Sequence, residues 1–113
     1  MSKEPIEYLK HIRDESLFIL SVIDNNISKD DFLRDETLKR AVIRSLEIIG
    51  EATKKIPADF KVKRDSIKWK NMAGMRDRLI HDYMGVNYSI VWDVDKNKIP
   101  ELHEQIIGVI EKE

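Results

Sequence analysis

Arg76-Asp77-Arg78-Leu79-Ile80-His81-Asp82-Tyr83 sets an arginine, a histidine and a tyrosine into a stretch that otherwise carries the apolar rhythm of a core helix. At about 100° of rotation per residue, Trp69, Met72, Ala73, Leu79 and Ile80 fall within roughly 60° of Arg76, and Tyr83 falls within about 20°. The spacing predicts a helix with Arg76 in the middle of its apolar stripe. A guanidinium keeps its charge at ordinary pH and is seldom fully buried alone, so this position calls for an anion, a carboxylate or a subunit interface.

Outward from this stretch the rest of the chain also reads as helix. Asp65 or Ser66 can cap the motif helix, which is expected to run to about residue 84 before Gly85 breaks it. Leu9, Ile12, Ser16, Ile19, Leu20 and Ile23 mark one face of a first helix over about residues 5–24, and Asn25-Asn26 interrupts it. Ser28 with Asp31 has the form of a capping start for a short turn. A second long helix, about residues 35–56, carries its stripe at Leu38, Ala41, Val42, Ser45, Ile48, Ile49, Ala52 and Ile56, and Pro57 stops it. Gly50 lies inside that helix at a cost of roughly 1 kcal/mol relative to alanine. It either lets another backbone or a ligand come close, or is simply tolerated beside Glu51. Residues 58–64 read as a charged loop. Asn87 caps a shorter helix using Ile90, Val91 and Val94, and Pro100 suits the first turn of a last helix with Leu102, Ile106, Val109 and Ile110. With no convincing β-alternation, repeat or linker, the expected architecture is all-α: an up-and-down bundle of four to five helices with a short extra helix.

Composition bounds what such a bundle does. The chain has 113 residues, 42% of them hydrophobic and 36% charged, which suits one domain with one core spanning residues 1–113. No run approaches the roughly 18 apolar residues of a membrane span, and Met1-Ser2-Lys3-Glu4-Pro5 leads into charged sequence without a signal-peptide core, so a cytoplasmic protein is expected. The absence of cysteine excludes disulfides and thiolate metal sites. Net charge is near zero but unevenly spread: -3 over residues 1–53, +6 over residues 54–78 and -4 over residues 79–113. Lys54, Lys55, Lys61, Lys63, Arg64, Lys68, Lys70, Arg76 and Arg78 therefore form a basic island leading into the motif, suited to a polyanion or to a solvated lysine-rich loop.

The spacing Arg, four residues, His, one residue, Tyr resembles the motif of HepT-like proteins within the HEPN superfamily, with Arg76, His81 and Tyr83 at the motif positions and Asp77 as the polar residue after the arginine. The surrounding segments WKNMAGMRDR (69–78), HDYMGV (81–86) and YSIVWD (88–93) are similar to that family's hallmark region, and IIGEA (48–52) to its second block. The resemblance covers nearly the whole chain. It implies an HEPN-type bundle, a homodimer with the motif at a shared cleft, and an endoribonuclease toxin paired with an MntA-type nucleotidyltransferase antitoxin that attaches AMP to Tyr83.

The residues themselves suggest how such chemistry would run. On a regular helix His81 lies about 140° around and some 7.5 Å along from Arg76, so one copy of the motif does not converge on one phosphate by itself. Arginine's reach, unwinding near Gly85, or a second subunit could bring the two together, and an isologous interface would also explain a buried arginine. Asp77 and His81, four residues apart, would share a helix face and make an acid/base unit. For RNA, attack of a 2′-hydroxyl on its neighbouring phosphate needs no metal: His81 would move the proton, Arg76 would stabilise the developing charge, and Arg78 would add a second phosphate contact. No cofactor is expected. His11 and His103 have acidic neighbours but no three converging ligands, and Trp69 and Trp92 read as core or interface. The competing reading is a non-catalytic helical subunit that holds a nucleotide or substrate for the nucleotidyltransferase.

Overall fold

The computed structural model describes residues 4–81 and 85–112, with Arg76, Ile80 and His81 described by their backbone alone. Tyr83 and the expected end of the motif helix at residue 84 lie outside the described residues. Helix α1 (Pro5–Val22) starts at a proline in its first turn and buries Leu9, Ile12, Ser16 and Ile19, the face its periodicity marks. Helix α2 (Lys29–Arg34) opens with a full capping box: Asp31 N–H donates to Ser28 Oγ (3.1 Å) and Ser28 N–H to Asp31 Oδ2 (3.3 Å). The expected short turn is thus a helix. It carries Phe32, fully buried, which packs edge-on to Tyr88 and tilted against Trp92.

Helix α3 (Glu36–Lys55) is capped by Asp35, whose carboxylate accepts from Leu38 N–H, and it packs closely along α1. Near its start Lys39 is buried yet fully engaged. Its Nζ donates to the Leu33 carbonyl (3.0 Å), pairs with Glu36 (2.8 Å) and lies over the Tyr88 ring. The hydrogen bond from Lys39 holds the Glu36 carboxyl below its ordinary value. Residues 58–64 are not simply a charged loop, because Ala58–Val62 forms one turn of helix, α4, directly after the stop at Pro57.

The single motif helix expected from residue 65 or 66 to about 84 is instead two short helices and a strand. Neither Asp65 nor Ser66 caps it. Helix α5 (Trp69–Ala73) begins after Lys68 and ends at Gly74, whose N–H turns back to the Lys70 and Met72 carbonyls. Helix α6 (Met75–Leu79) follows, its first helical bond running from Arg78 N–H to the Gly74 carbonyl. Strand β1 (Ile80–His81) then pairs antiparallel with β2 (Gly85–Val86), placing Ile80 opposite Val86 and His81 opposite Gly85. The Leu79 carbonyl, which a continuing helix would use four residues on, accepts from Asn87 N–H instead (3.3 Å).

Helix α7 (Tyr88–Asn97) is capped by Asn87, which accepts from Ile90 N–H, and α8 (Ile99–Lys112) takes Pro100 in its first turn. Helix α8 packs along α1 and α7. A side-chain bond ties α1 to α8: Ser16 Oγ donates to the Arg13 carbonyl and lies 2.9 Å from His103 Nδ1, which leaves the histidine N–H as the donor of that pair. The described residues thus form an all-α, HEPN-type bundle of four long helices and four short ones, with a two-residue hairpin at the motif.

Gly50 explains why the chain breaks where it does. A Cβ built there would sit 3.4 Å from the Met72 carbonyl oxygen and 3.7 Å from that of Ala73. Helix α3 thus lies directly against the C-terminal end of α5. Gly50→Ala just fits and keeps or slightly raises stability, whereas Gly50→Leu forces the two backbones apart at a cost of about 1–3 kcal/mol. Urea denaturation distinguishes the two, and equal midpoints for Gly50→Leu and wild type would contradict the close approach.

Asp95 stands against the rest of the core. It follows Val91 and precedes Ile99 at four-residue spacing, all three are buried, and among the described residues neither of its carboxylate oxygens has a hydrogen-bond partner. Burial pushes its carboxyl from the ordinary 3.8 up to about 8. Between those values the folded chain holds a proton that the unfolded chain has released, so stability falls as pH rises, by up to about 1.4 kcal/mol per unit, and levels off above the folded value. Asp95→Val is expected to flatten that slope and to gain most stability at alkaline pH. A denaturation series from pH 4 to 9 that gives parallel curves for the two proteins would contradict it.

Candidate functional site

The break between α5 and α6 positions the motif. Arg76 is the second residue of α6, and His81 is the second residue of β1, so a helix end separates them. Beyond Leu79 each residue advances the chain by about 3.3 Å rather than about 1.5 Å and alternates faces. His81 has left the helix, so Asp77 and His81 are not related by the helical four-residue spacing that was expected to set them on one face. The 140° separation of Arg76 from His81 falls with it. The unwinding foreseen near Gly85 begins earlier, at Ile80. Gly85 returns the chain with a φ of +110°, a conformation that side-chain-bearing residues rarely adopt.

Asp77 and Arg78 are exposed on α6, and Arg78 Nη2 reaches the Asn71 carbonyl over 3.4 Å. The Arg76 and His81 side chains and the whole of Tyr83 lie outside the described residues. The basic island divides into two kinds of cation. Arg64 is structural: its guanidinium stacks 3.6 Å over the Phe60 ring and bonds the Phe60 carbonyl, while its own carbonyl accepts from the Trp69 indole. Lys61 is half-buried, and burial lowers the pKa of its amine. Lys54, Lys55, Lys63, Lys68 and Lys70 are exposed. Trp69 is buried and Trp92 packs on Phe32, the core roles expected of them. Among the described residues no three His, Asp or Glu side chains are grouped to hold a metal, and no helix is long and apolar enough to cross a membrane.

Beside the motif, a groove of about 640 Å³ opens between α5–α6 and α7–α8. Met72, Met75, Leu79, Ile99 and Leu102 form its buried floor, with Lys68, Arg78 and Lys98 among its rim residues. Charge counting by segment misses Lys98, because it lies in the acidic C-terminal third. The signal available was its position directly before the buried Ile99.

Comparisons with known proteins place the chain in a family. The HepT-like family, described as "Ribonuclease HepT-like", matches residues 6–109. A "Putative RNase" of Caldanaerobacter subterraneus subsp. tengcongensis is 48% identical over 111 residues, covering 98% of each chain. The "Probable ribonuclease HepT" of Thermococcus cleftensis is 44% identical, covering 90% of this chain and 92% of its own. A "Putative RNase" of Methanocaldococcus jannaschii is 49% identical over 86 residues, covering 76% of this chain and 71% of its own. No solved structure matches.

Proposed function

We propose, on the premise that this chain belongs to the HepT-like ribonuclease family, that it cleaves RNA without a metal, using His81 as general acid/base and Arg76 as the phosphate-stabilising cation. In this reaction the 2′-oxygen bonds to the neighbouring phosphorus, the bond to the 5′-oxygen breaks, and the products are a 2′,3′-cyclic phosphate and a 5′-hydroxyl. His81 takes the 2′ proton, and the leaving oxygen receives one. The observation that carries this reading is the helix end between the two motif residues, which sets His81 on a strand paired with Gly85–Val86 directly after α6. Asp77 and Arg78 support the pair from α6. In this reading the protein works in the cytoplasm as a homodimer, a second copy completing the cleft across a two-fold axis.

The same reading makes the protein the toxin of a toxin-antitoxin pair whose partner is an MntA-type nucleotidyltransferase. The tyrosyl oxygen of Tyr83 attacks the α-phosphorus of ATP, gains AMP and releases pyrophosphate. The added bulk and negative charge two residues beyond His81 then compete with RNA phosphate for Arg76 and close the cleft.

The purified chain should cut RNA in the presence of a chelator and leave cyclic phosphate ends. His81→Ala and Arg76→Ala should each lose about 10²- to 10⁴-fold in rate while keeping the helical signal of wild type. Equal rates for wild type and His81→Ala would end the nuclease mechanism and favour a binding subunit. Co-expression with the partner should add AMP mass to wild type and silence it, whereas Tyr83→Phe stays unmodified and active. AMP on another residue, or silencing of unmodified Tyr83→Phe, would place the switch elsewhere.

A further inference from the structure

The groove between α5–α6 and α7–α8 has two chemistries in one space. Its floor is apolar and buried, with the thioethers of Met72 and Met75 beside Leu79, Ile99 and Leu102, and Ile90 stands on its wall 44% exposed. Its rim carries three cations, Lys68, Arg78 and Lys98, against one carboxylate, Glu101. The Asn71 and Gln105 amides also line it, and Gln105 Nε2 donates to the Ser66 carbonyl over a long 3.5 Å. At about 640 Å³ it falls within the roughly 300–1,000 Å³ of small-molecule sites.

We infer that this groove is a nucleobase subsite: one unpaired base of the RNA lies on the methionine floor, and the phosphates on either side of it are held by Lys68, Arg78 and Lys98. The inference rests on the ribonuclease reading above and adds where the substrate is gripped. A base offers two apolar faces to polarisable sulfur and a polar edge to side-chain amides, the same division that the groove makes between floor and rim. Leu79 and Arg78 belong both to the groove and to α6, so a base seated here lies against the short helix whose backbone carries Arg76. Lys68 and Asn71 also line a shallower hollow of about 350 Å³ together with Lys61 and Lys70, which continues the cationic rim away from the motif for the next phosphates. Charge decides between RNA and a second copy of the chain as occupant. An isologous contact made through this groove would press its cationic rim against its own copy, whereas a polyanion neutralises it.

The test uses the full chain and a short fluorescein-labelled 2′-O-methyl RNA, which lacks the nucleophile and remains intact while binding is followed by anisotropy. Val94→Trp, which fills the groove, is expected to weaken binding roughly tenfold, the scale of one lost base contact. Lys98→Glu is expected to weaken it and to lower the salt slope by about one. Glu101→Gln should tighten it. An abasic residue moved along the RNA should weaken binding to wild type at one position and make no further difference in Val94→Trp. Wild-type affinity in both Val94→Trp and Lys98→Glu, or equal effects of every abasic position, would overturn the subsite. Chelator-resistant cleavage by wild type, measured in parallel, would leave the nuclease reading standing in that case, and its absence would remove both. Loss of self-association in Val94→Trp with RNA affinity unchanged would give the groove to a second copy and overturn the proposal as well. Thermal melts confirm that each variant is folded, and the surface substitution Lys98→Glu keeps the test decisive if Val94→Trp is not.

Discussion

The close approach of Gly50 to the carbonyls of Met72 and Ala73 is the constraint on which the motif region depends. Any side chain larger than alanine in the middle of α3 would hold α5 away. With α5 seated there, the chain turns at Gly74, starts α6 afresh and ends it after one turn. Gly74 and Arg78 N–H keep four-residue bonds to the Lys70 and Gly74 carbonyls, and the ladder is diverted at Leu79, whose carbonyl accepts from Asn87 N–H eight residues on. The break costs little in burial, since Trp69, Met72, Met75 and Leu79 all remain in the core. Its consequence is that Arg76 and His81 sit on backbone of different pitch.

Charge follows the same division. Arg64 and Lys39 are spent on structure, one stacked on Phe60 and the other locked among Leu33, Glu36 and Tyr88. Among the described side chains, the cations at the surface near the motif are Lys68, Lys70, Arg78 and Lys98, drawn from α5, α6, the turn before α5 and the junction of α7 and α8. A field assembled from separate elements around one groove steers a polyanion toward that groove, an effect that falls steeply with ionic strength.

Local signals in the sequence translated into structure almost residue for residue. The Ser28–Asp31 box, the Asn87 cap, the stop at Pro57 and the start at Pro100 depend only on neighbours a few positions away, and each stands where the chemistry puts it. The apolar faces of α1 and α3 were legible for the same reason. Phe32 was not, because a six-residue helix is too short to show a period. Asp95 was visible in principle through its four-residue spacing from Val91 and Ile99, yet a carboxylate reads as solvated until its neighbours are known.

The motif region shows the limit of periodicity. Trp69, Met72, Leu79 and Ile80 keep a helical rhythm across a real break, because both short helices present their apolar sides to the same core, so a single long helix was the natural expectation. The one local sign of the turn is Gly74; the close packing of α5 on Gly50 of α3, more than twenty residues earlier, has no local sign at all. Family resemblance pointed to Arg76, His81 and Tyr83; periodicity gave Arg76 its helix but carried that helix on through His81, which stands on a strand. Backbone NMR tests the central claim most directly. Helical carbon shifts at Met75–Leu79, extended shifts at Ile80–His81 and a cross-strand contact between His81 and Gly85 are the predicted result; helical shifts running unbroken through residue 84 would contradict it.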